Sequence, residues 1–210
     1  VERITRSNSI DGLIVLDVEE GDVRLETLSK TETPAVLVGQ TFSNAPIDQV
    51  DLDWFTAGEI LIEHLTSLGH TKILILEVPE ATFDMQMTYA IRFRAGTQSA
   101  AQHAGAELIR VPTTTNFGLN LQTIIEALTV NPGVTGVVIQ HEAAVAALVS
   151  AAHQVALRIP QDLSTVDISL DVMDQSFVLP MSGVTNPSAR ITRTAVDLLV
   201  ERIQGLAPTP

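Results

Sequence analysis

The chain is 210 residues long, enough for one large domain or two smaller lobes, and it is 45% hydrophobic but only 4% aromatic. Its 12 basic and 25 acidic residues give a formal net charge of −13, so the chain alone is not expected to bind nucleic acid, whose phosphates it would repel. The absence of cysteine excludes a disulfide framework, Cys-ligated zinc and a thiol nucleophile, and it fits a reducing cytoplasm.

Short apolar runs rich in β-branched residues alternate with longer segments of helical period. This alternation predicts an α/β fold whose parallel sheets are wound by right-handed crossovers. Strands are predicted at 11–16, 35–39, 49–53, 72–76, 106–111, 134–140, 163–168 and 183–185. Helices are predicted at 55–68, 87–104, 119–129, 142–155 and 188–204. Gly69 should end the first of these helices in the left-handed conformation.

Two segments interrupt the alternation, a loop at 78–82 and the segment 179–182, and they predict where the chain passes between two lobes. The expected divisions are an N-terminal lobe at 1–78, a C-terminal lobe at 79–182, a return to the first lobe at 183–204 and the start of a second return at 205–210. Ligands of open α/β sheets bind at the carboxyl ends of the strands, so two facing sheets predict a ligand cleft between the lobes.

The two ends of the sequence predict a fragment. It begins without methionine, inside a segment of helical character, and no apolar stretch follows its first charged residues. We therefore expect a domain truncated at both ends and no signal peptide at this position. No apolar run approaches the ~18 residues needed to cross a bilayer, so no membrane partner is expected.

Five motifs follow one another along the chain: IDGLIV at 10–15, Asp53 with EHLTSLGHTKI at 63–73, an arginine-containing helix start at 92–96, LRIPQDLS at 157–164 and PMSGV at 180–184. In this order they resemble the lactose-repressor-type (LacI/GalR) family of transcription regulators over residues 9–205. The pair LGHTKI and LRIPQDLS is the most specific part. Both have structural explanations, because Gly69 ends a helix while Pro160 and Asp162 form the turn before a buried strand.

The resemblance implies a two-lobed, periplasmic-binding-protein-like domain in which each lobe is a parallel sheet flanked by helices. It implies a small-molecule effector, a sugar or related metabolite, whose binding between the lobes alters operator affinity allosterically. Operator DNA would be bound by an N-terminal helix-turn-helix that this chain does not contain, and the domain would form a homodimer. The Leu-rich helix at 55–68 is a candidate for the dimer face, although burial within its lobe explains the same residues.

The first ligand positions that the resemblance implies fall at two places. Asp53 matches the family's acidic residue, and Trp54 replaces the asparagine that usually follows it. An indole can stack on a sugar or base, so Trp54 is either a ligand contact or a packing residue. The family's clamping arginine falls on Phe93, three residues before Gly96, and we expect Arg92 to take over that role unless it is a surface arginine.

The remaining ligand positions also depart from the family's pattern. His141 and Glu142 replace an Asn-Asp pair, so His141 is the candidate contact, able to titrate near neutral pH, while Glu142 favours the start of the next helix. Ser169 stands where an acidic sugar ligand is usual, and Asp171 or Asp167 would compensate. Substitutions at three contact positions predict an atypical effector, which tight binding of an unmodified hexose would contradict.

The sequence offers no catalytic set, no cofactor motif and no metal site. His64 and His70 lie six residues apart, a spacing that does not place both on one helix face, and neither a serine elbow nor a Gly-rich phosphate loop is present. We therefore expect a non-enzyme without a cofactor. The alternatives left open are a periplasmic sugar-binding protein of a transport system, a flavodoxin-like or Rossmann-type enzyme, and a regulator that has lost ligand sensing.

Overall fold

The computed structural model describes residues 10–42, 46–168 and 181–206, and within these it confirms the predicted α/β class with parallel sheets. Contacts between residues divide the chain into two units. Unit 1 takes the residues up to Asp53, then 85–91, and the residues from Pro187 onward. Unit 2 consists of residues 54–84 and 92–186.

The elements of the described residues follow the predicted alternation. The strands are β1 (Leu13–Val15), β2 (Ala35–Val38), β3 (Asp48–Val50), β4 (Lys72–Glu77), β5 (Glu107–Pro112), β6 (Gly136–Ile139), β7 (Ser164–Ile168) and β8 (Ser182–Val184). The helices are α1 (Val23–Leu28), α2 (Trp54–Ser67), α3 (Glu80–Asp84), α4 (Thr88–Ala104), α5 (Phe117–Val130), α6 (Val145–Gln154) and α7 (Ser188–Ile203), with a 3-10 turn at Glu142–Ala144.

Unit 1 is built on a three-stranded parallel sheet in the order β1-β2-β3. Helix α1 begins at Asp22, whose carboxylate accepts the backbone N–H of Arg24 at 2.9 Å, and it contributes Leu25 and Leu28 to the core. Helix α7 packs on the same sheet. Its Arg202 donates to the Asp48 carboxylate of β3, with 2.9 Å between Nη2 and Oδ1, which ties the end of α7 to the sheet.

Unit 2 contains a five-stranded parallel sheet in the order β5-β4-β6-β7-β8. Residues 73–76 of β4 are fully buried on both sides, as expected of a central strand covered by helices on both faces. Leu74 and Leu76 pack in one core cluster with residues of α5 and α6. On the other face α2 and α4 cross so closely that a Cβ atom on Gly58 would lie 2.7 Å from the Phe93 carbonyl oxygen.

The structure divides the units earlier than the predicted lobe boundary at residue 78. The reason is that β4 pairs with β5 on one side and with β6 on the other, which makes it part of the second sheet. The segment 78–82, predicted as a loop between lobes, includes the start of α3, and the chain changes units instead at 53/54, 84/85, 91/92 and 186/187. β8 also belongs to the second sheet, because it pairs with β7.

Helical periodicity predicts that Ile60, Leu61, His64, Leu65 and Leu68 share one side of the helix at 55–68, and the structure buries only part of that side. Leu61 and Leu65 are buried as predicted, whereas Ile60 and Leu68 are 48% and 61% exposed. The buried face of the helix also includes Ile62 and two small residues, Ala57 and Gly58. The left-handed end is confirmed: Gly69 has φ +92°, and His70 donates its N–H to the Leu65 carbonyl at 3.1 Å.

Candidate functional site

The carboxyl edge of the sheet in unit 2 contains a topological switch point. From β4 the chain moves to β5 on one side, and β6 then pairs with the opposite side of β4. Loops that leave such strands in opposite directions open a crevice, the usual ligand position in open α/β sheets. The residues that follow these strand ends are Val78, Thr113, Gln140 and His141.

A short chain of hydrogen bonds joins the ends of β4, β5 and β6. The Thr113 hydroxyl lies 2.6 Å from Nδ1 of His141 and 2.7 Å from the backbone carbonyl of Glu77. Thr113 is buried, while His141 is half-buried at the start of the 3-10 turn. The imidazole is therefore held in a fixed orientation at the switch point and remains partly accessible.

Burial controls the charge of this histidine. Desolvation lowers the pKa of His141 below 6.5, and the neighbouring Glu142 carboxylate opposes that shift only in part. The ring is therefore mainly neutral at pH 7, with one ring nitrogen able to donate and the other able to accept a hydrogen bond.

Gln140 adds a second polar group at the end of β6. Its Oε1 accepts the Val78 backbone N–H at 3.4 Å, which orients the amide, and the residue is only 6% exposed. Its Nε2 has no hydrogen-bond partner among the described residues. A buried donor left in this state costs about 1–3 kcal/mol, which a ligand acceptor would relieve.

A charge cluster surrounds Glu77, the last residue of β4, a strand that was predicted from its apolar residues. The Glu77 carboxylate, 1% exposed, accepts hydrogen bonds from Arg94 at 3.0 and 2.7 Å and from Arg110 at 2.7 Å. The Arg94 guanidinium also stacks 3.4 Å from the ring centroid of Phe83. A glutamate at the end of an apolar run was the only sequence signal, because Arg110 reaches it through the register of β5 and Arg94 through the packing of α4.

The predicted contact residues fall on several elements. Asp53 is exposed and belongs to unit 1, and Trp54 is half-buried as the first residue of α2 in unit 2. Arg92 is half-buried on α4, and His141 lies at the switch point. Ser169 and Asp171 lie outside the described residues, so their placement stays a prediction.

The expected helix start at 92–96 is instead the second turn of α4, where Phe93 lies between Arg92 and Arg94. Phe93, which occupies the family's position, is fully buried and cannot bind a polar ligand. The Arg94 guanidinium forms an ion pair with the Glu77 carboxylate. Arg92, half-buried on the same helix, stays the predicted clamp residue. Asp167, the suggested compensating residue, is 1% exposed on β7.

Two kinds of feature are absent from the described part of the chain. No group of three or more His, Asp or Glu side chains is placed to hold a metal ion. No helix in that part is both long and apolar enough to cross a membrane.

Comparison with known proteins gives consistent matches. The model of the periplasmic binding protein-like domain matches residues 62–210. The HTH-type transcriptional repressor PurR of Haemophilus influenzae is 25% identical over 199 residues, which cover 92% of this chain and 57% of PurR. This chain thus spans little more than half the length of that relative.

Solved structures match over nearly the whole chain. A LacI family transcriptional regulator from Bifidobacterium animalis superposes with a TM-score of 0.86 at 21% identity, covering 98% of this chain and 74% of that one. A LacI family regulator from Enterococcus faecium with bound ribose superposes with a TM-score of 0.74 at 25% identity, covering 97% and 76%. The fold is therefore that of the LacI-type effector-binding domain.

Proposed function

The chain belongs to the periplasmic binding protein-like domain family, and from that premise we propose that it is the ligand-sensing domain of a transcription regulator, acting as a repressor. The observation that carries the proposal is the polar set at the switch point between β4 and β6. Thr113, Gln140 and His141 lie where open α/β sheets bind ligands, and they offer hydrogen-bonding groups rather than a packed apolar surface.

The proposed ligand is a small polar molecule, a sugar or related metabolite. Ribose in the Enterococcus faecium regulator supports this class. We propose Asp53, Trp54, Arg92 and His141 as ligand contacts. Ser169 and Asp171 complete the proposed set on the resemblance alone.

Regulation would operate through differential affinity. A ligand that binds one conformation of the domain more tightly than another shifts the equilibrium between them by at most that difference in binding free energy. Coupled to an N-terminal helix-turn-helix on operator DNA, this shift changes operator affinity. We also propose that the domain works as a homodimer, in the cytoplasm, and without catalytic activity or a cofactor.

The transport alternative, a periplasmic sugar-binding protein, is not favoured. PurR of Haemophilus influenzae is a repressor, and the two solved structures named above are transcription regulators. The enzyme alternative lacks support for the same reason.

The test is a DNA-capture experiment with the encoded gene product, incubated with fragments of its own genome and washed at several salt concentrations. A regulator retains a small set of related, two-fold symmetric sites, and an effector from a metabolite panel changes that retention. The 210-residue chain alone is the control and should retain no DNA, because its formal net charge is −13. Retention of no specific site by the gene product contradicts the proposal.

A further inference from the structure

The Thr113 hydroxyl has one proton and two close neighbours. The Glu77 carbonyl oxygen, 2.7 Å away, can only accept a hydrogen bond. The His141 Nδ1, 2.6 Å away, can donate or accept, depending on the tautomer of the ring. Both contacts are hydrogen bonds only if the hydroxyl donates to the carbonyl and Nδ1 carries a proton that it donates to the hydroxyl.

A proton on Nδ1 determines what the other nitrogen of the neutral His141 ring can do. A neutral imidazole carries one proton, so protonated Nδ1 leaves Nε2 with a free lone pair. In free histidine in water, no neighbouring group fixes which of the two ring nitrogens carries the proton. The described residues supply no hydrogen bond to Nε2, and the ring is half-buried rather than enclosed.

We propose that Thr113 holds His141 in the Nδ1–H tautomer, so that Nε2 acts as a hydrogen-bond acceptor and selects effectors that present a hydroxyl or N–H donor at this position. Thr113 is thus a positioning residue and His141 a specificity-determining one. This inference rests on the proposed ligand-sensing function, because it assigns a chemical requirement to that same site.

The surroundings of His141 support a neutral acceptor. Desolvation lowers its pKa, so the ring that meets a ligand near pH 7 is mainly uncharged. An acceptor at Nε2 discriminates strongly, since a ligand that places a carbonyl or ether oxygen there would leave two acceptors facing each other.

The first test reads the tautomer directly, without any ligand. Nitrogen-15 NMR of the ¹⁵N-histidine-labelled chain at pH 8 distinguishes protonated from unprotonated ring nitrogens, and the signal missing in His141→Phe assigns the residue. We expect protonated Nδ1 and unprotonated Nε2 for His141 in the wild type. In Thr113→Val, which keeps the side-chain shape, the populations should shift toward Nε2–H, and Thr113→Ser should restore the wild-type pattern. Predominant Nε2–H in the wild type overturns the inference.

The second test measures selectivity with named probes. D-ribose, D-glucose, cellobiose, adenine and hypoxanthine are titrated by thermal shift and calorimetry, each sugar beside its O-methylated counterpart, which keeps oxygen acceptors but lacks hydroxyl donors. A compound that stabilises the wild type should bind Thr113→Val about tenfold more weakly, the loss expected for one hydrogen bond, and should bind Thr113→Ser normally. Equal binding to Thr113→Val, or preference for the methylated form, overturns the inference.

The two tests separate this inference from the proposed function. If NMR shows the Nδ1–H tautomer but no probe stabilises the chain, the proposed sensing role is contradicted. The ligand requirement at Nε2 is then contradicted too, whereas the positioning role of Thr113 is still supported. A stabilising probe with the opposite tautomer leaves the sensing role supported and refutes the role of Thr113.

Discussion

Neutralising Glu77 tests whether the charge cluster under α4 holds unit 2 together. The carboxylate is 1% exposed and receives three hydrogen bonds from Arg94 and Arg110 at 2.7–3.0 Å. Glu77→Gln keeps the volume but leaves two guanidinium groups without a counter-charge. Removing one partner of a buried ion pair costs about 3–5 kcal/mol.

The lower end of that range applies here. The Arg94 and Arg110 side chains are 35% and 20% exposed, so both regain some hydration when the carboxylate is lost. We expect the free energy of unfolding to fall by about 3 kcal/mol in Glu77→Gln. For a chain of this size that loss corresponds to a decrease in melting temperature of roughly 6–12 °C.

The assay is urea unfolding followed by circular dichroism, with a thermal melt as a second probe. Glu107→Gln is the matched control, because Glu107 is 62% exposed and its oxygen lies 3.4 Å from Lys72 Nζ. The control should change stability by less than about 0.5 kcal/mol. If Glu77→Gln is no less stable than Glu107→Gln, the cluster does not stabilise the fold and the reasoning is refuted.

Two further predictions concern close packing and a surface ion pair. In Gly96→Ala the new Cβ would lie 2.8 Å from the Phe55 carbonyl carbon and closer still to its oxygen, so we expect a loss of about 1–3 kcal/mol in urea unfolding. Gly118→Ala, whose nearest neighbour is an Asn116 side-chain oxygen at 3.4 Å, should be neutral or stabilising, and equal effects of the two changes would contradict the packing of α2 on α4. Hydrogen bonds from Arg158 lower the pKa of Asp162 to about 2, so its stabilising contribution is complete above pH 4 and is lost as the pH falls through 2. An NMR titration of the carboxyl group in the wild type and in Arg158→Leu checks this, and an unchanged pKa in the variant would refute the pairing.

Features with a local cause could be predicted from the sequence. Gly69 ends α2 in the left-handed conformation because glycine has no Cβ to oppose it, and that signal lies within one helical turn. The turn before β7 is similarly local: the Asp162 carboxylate accepts the Arg158 N–H at 2.9 Å, four residues away. Strand and helix alternation followed from apolar periodicity in the same way.

Features that depend on strand register could not be predicted. Thr113 and His141 are 28 residues apart and meet only because β5 and β6 lie on either side of β4. Glu77 and Arg110 are 33 residues apart, and they meet because β4 pairs with β5 in a register that places Ile75 beside Arg110. The predicted boundary at residue 78 placed β4 in the first lobe, because the sequence of a strand does not indicate which sheet the strand joins.

The residues that α2 buries could not be predicted, because they depend on how the helix packs against its neighbours. Periodicity located the helix, but the residues it buries depend on where α4 crosses it. That crossing requires Gly58 and Gly96, at which any side chain would meet backbone atoms of the neighbouring helix. Apolar residues at 60 and 68 consequently remain exposed, although they fit the same helical pattern.

Ligand binding at the carboxyl edge is tested most directly by thermal shift of the wild type and His141→Phe against one panel of sugars and nucleobases. A sensing domain predicts that at least one compound stabilises the wild type, by about 2.7 kcal/mol at a concentration of one hundred times its Kd, and that His141→Phe loses most of this stabilisation while keeping its fold. No stabilisation by any compound, or equal stabilisation of both proteins, would contradict a ligand site at His141.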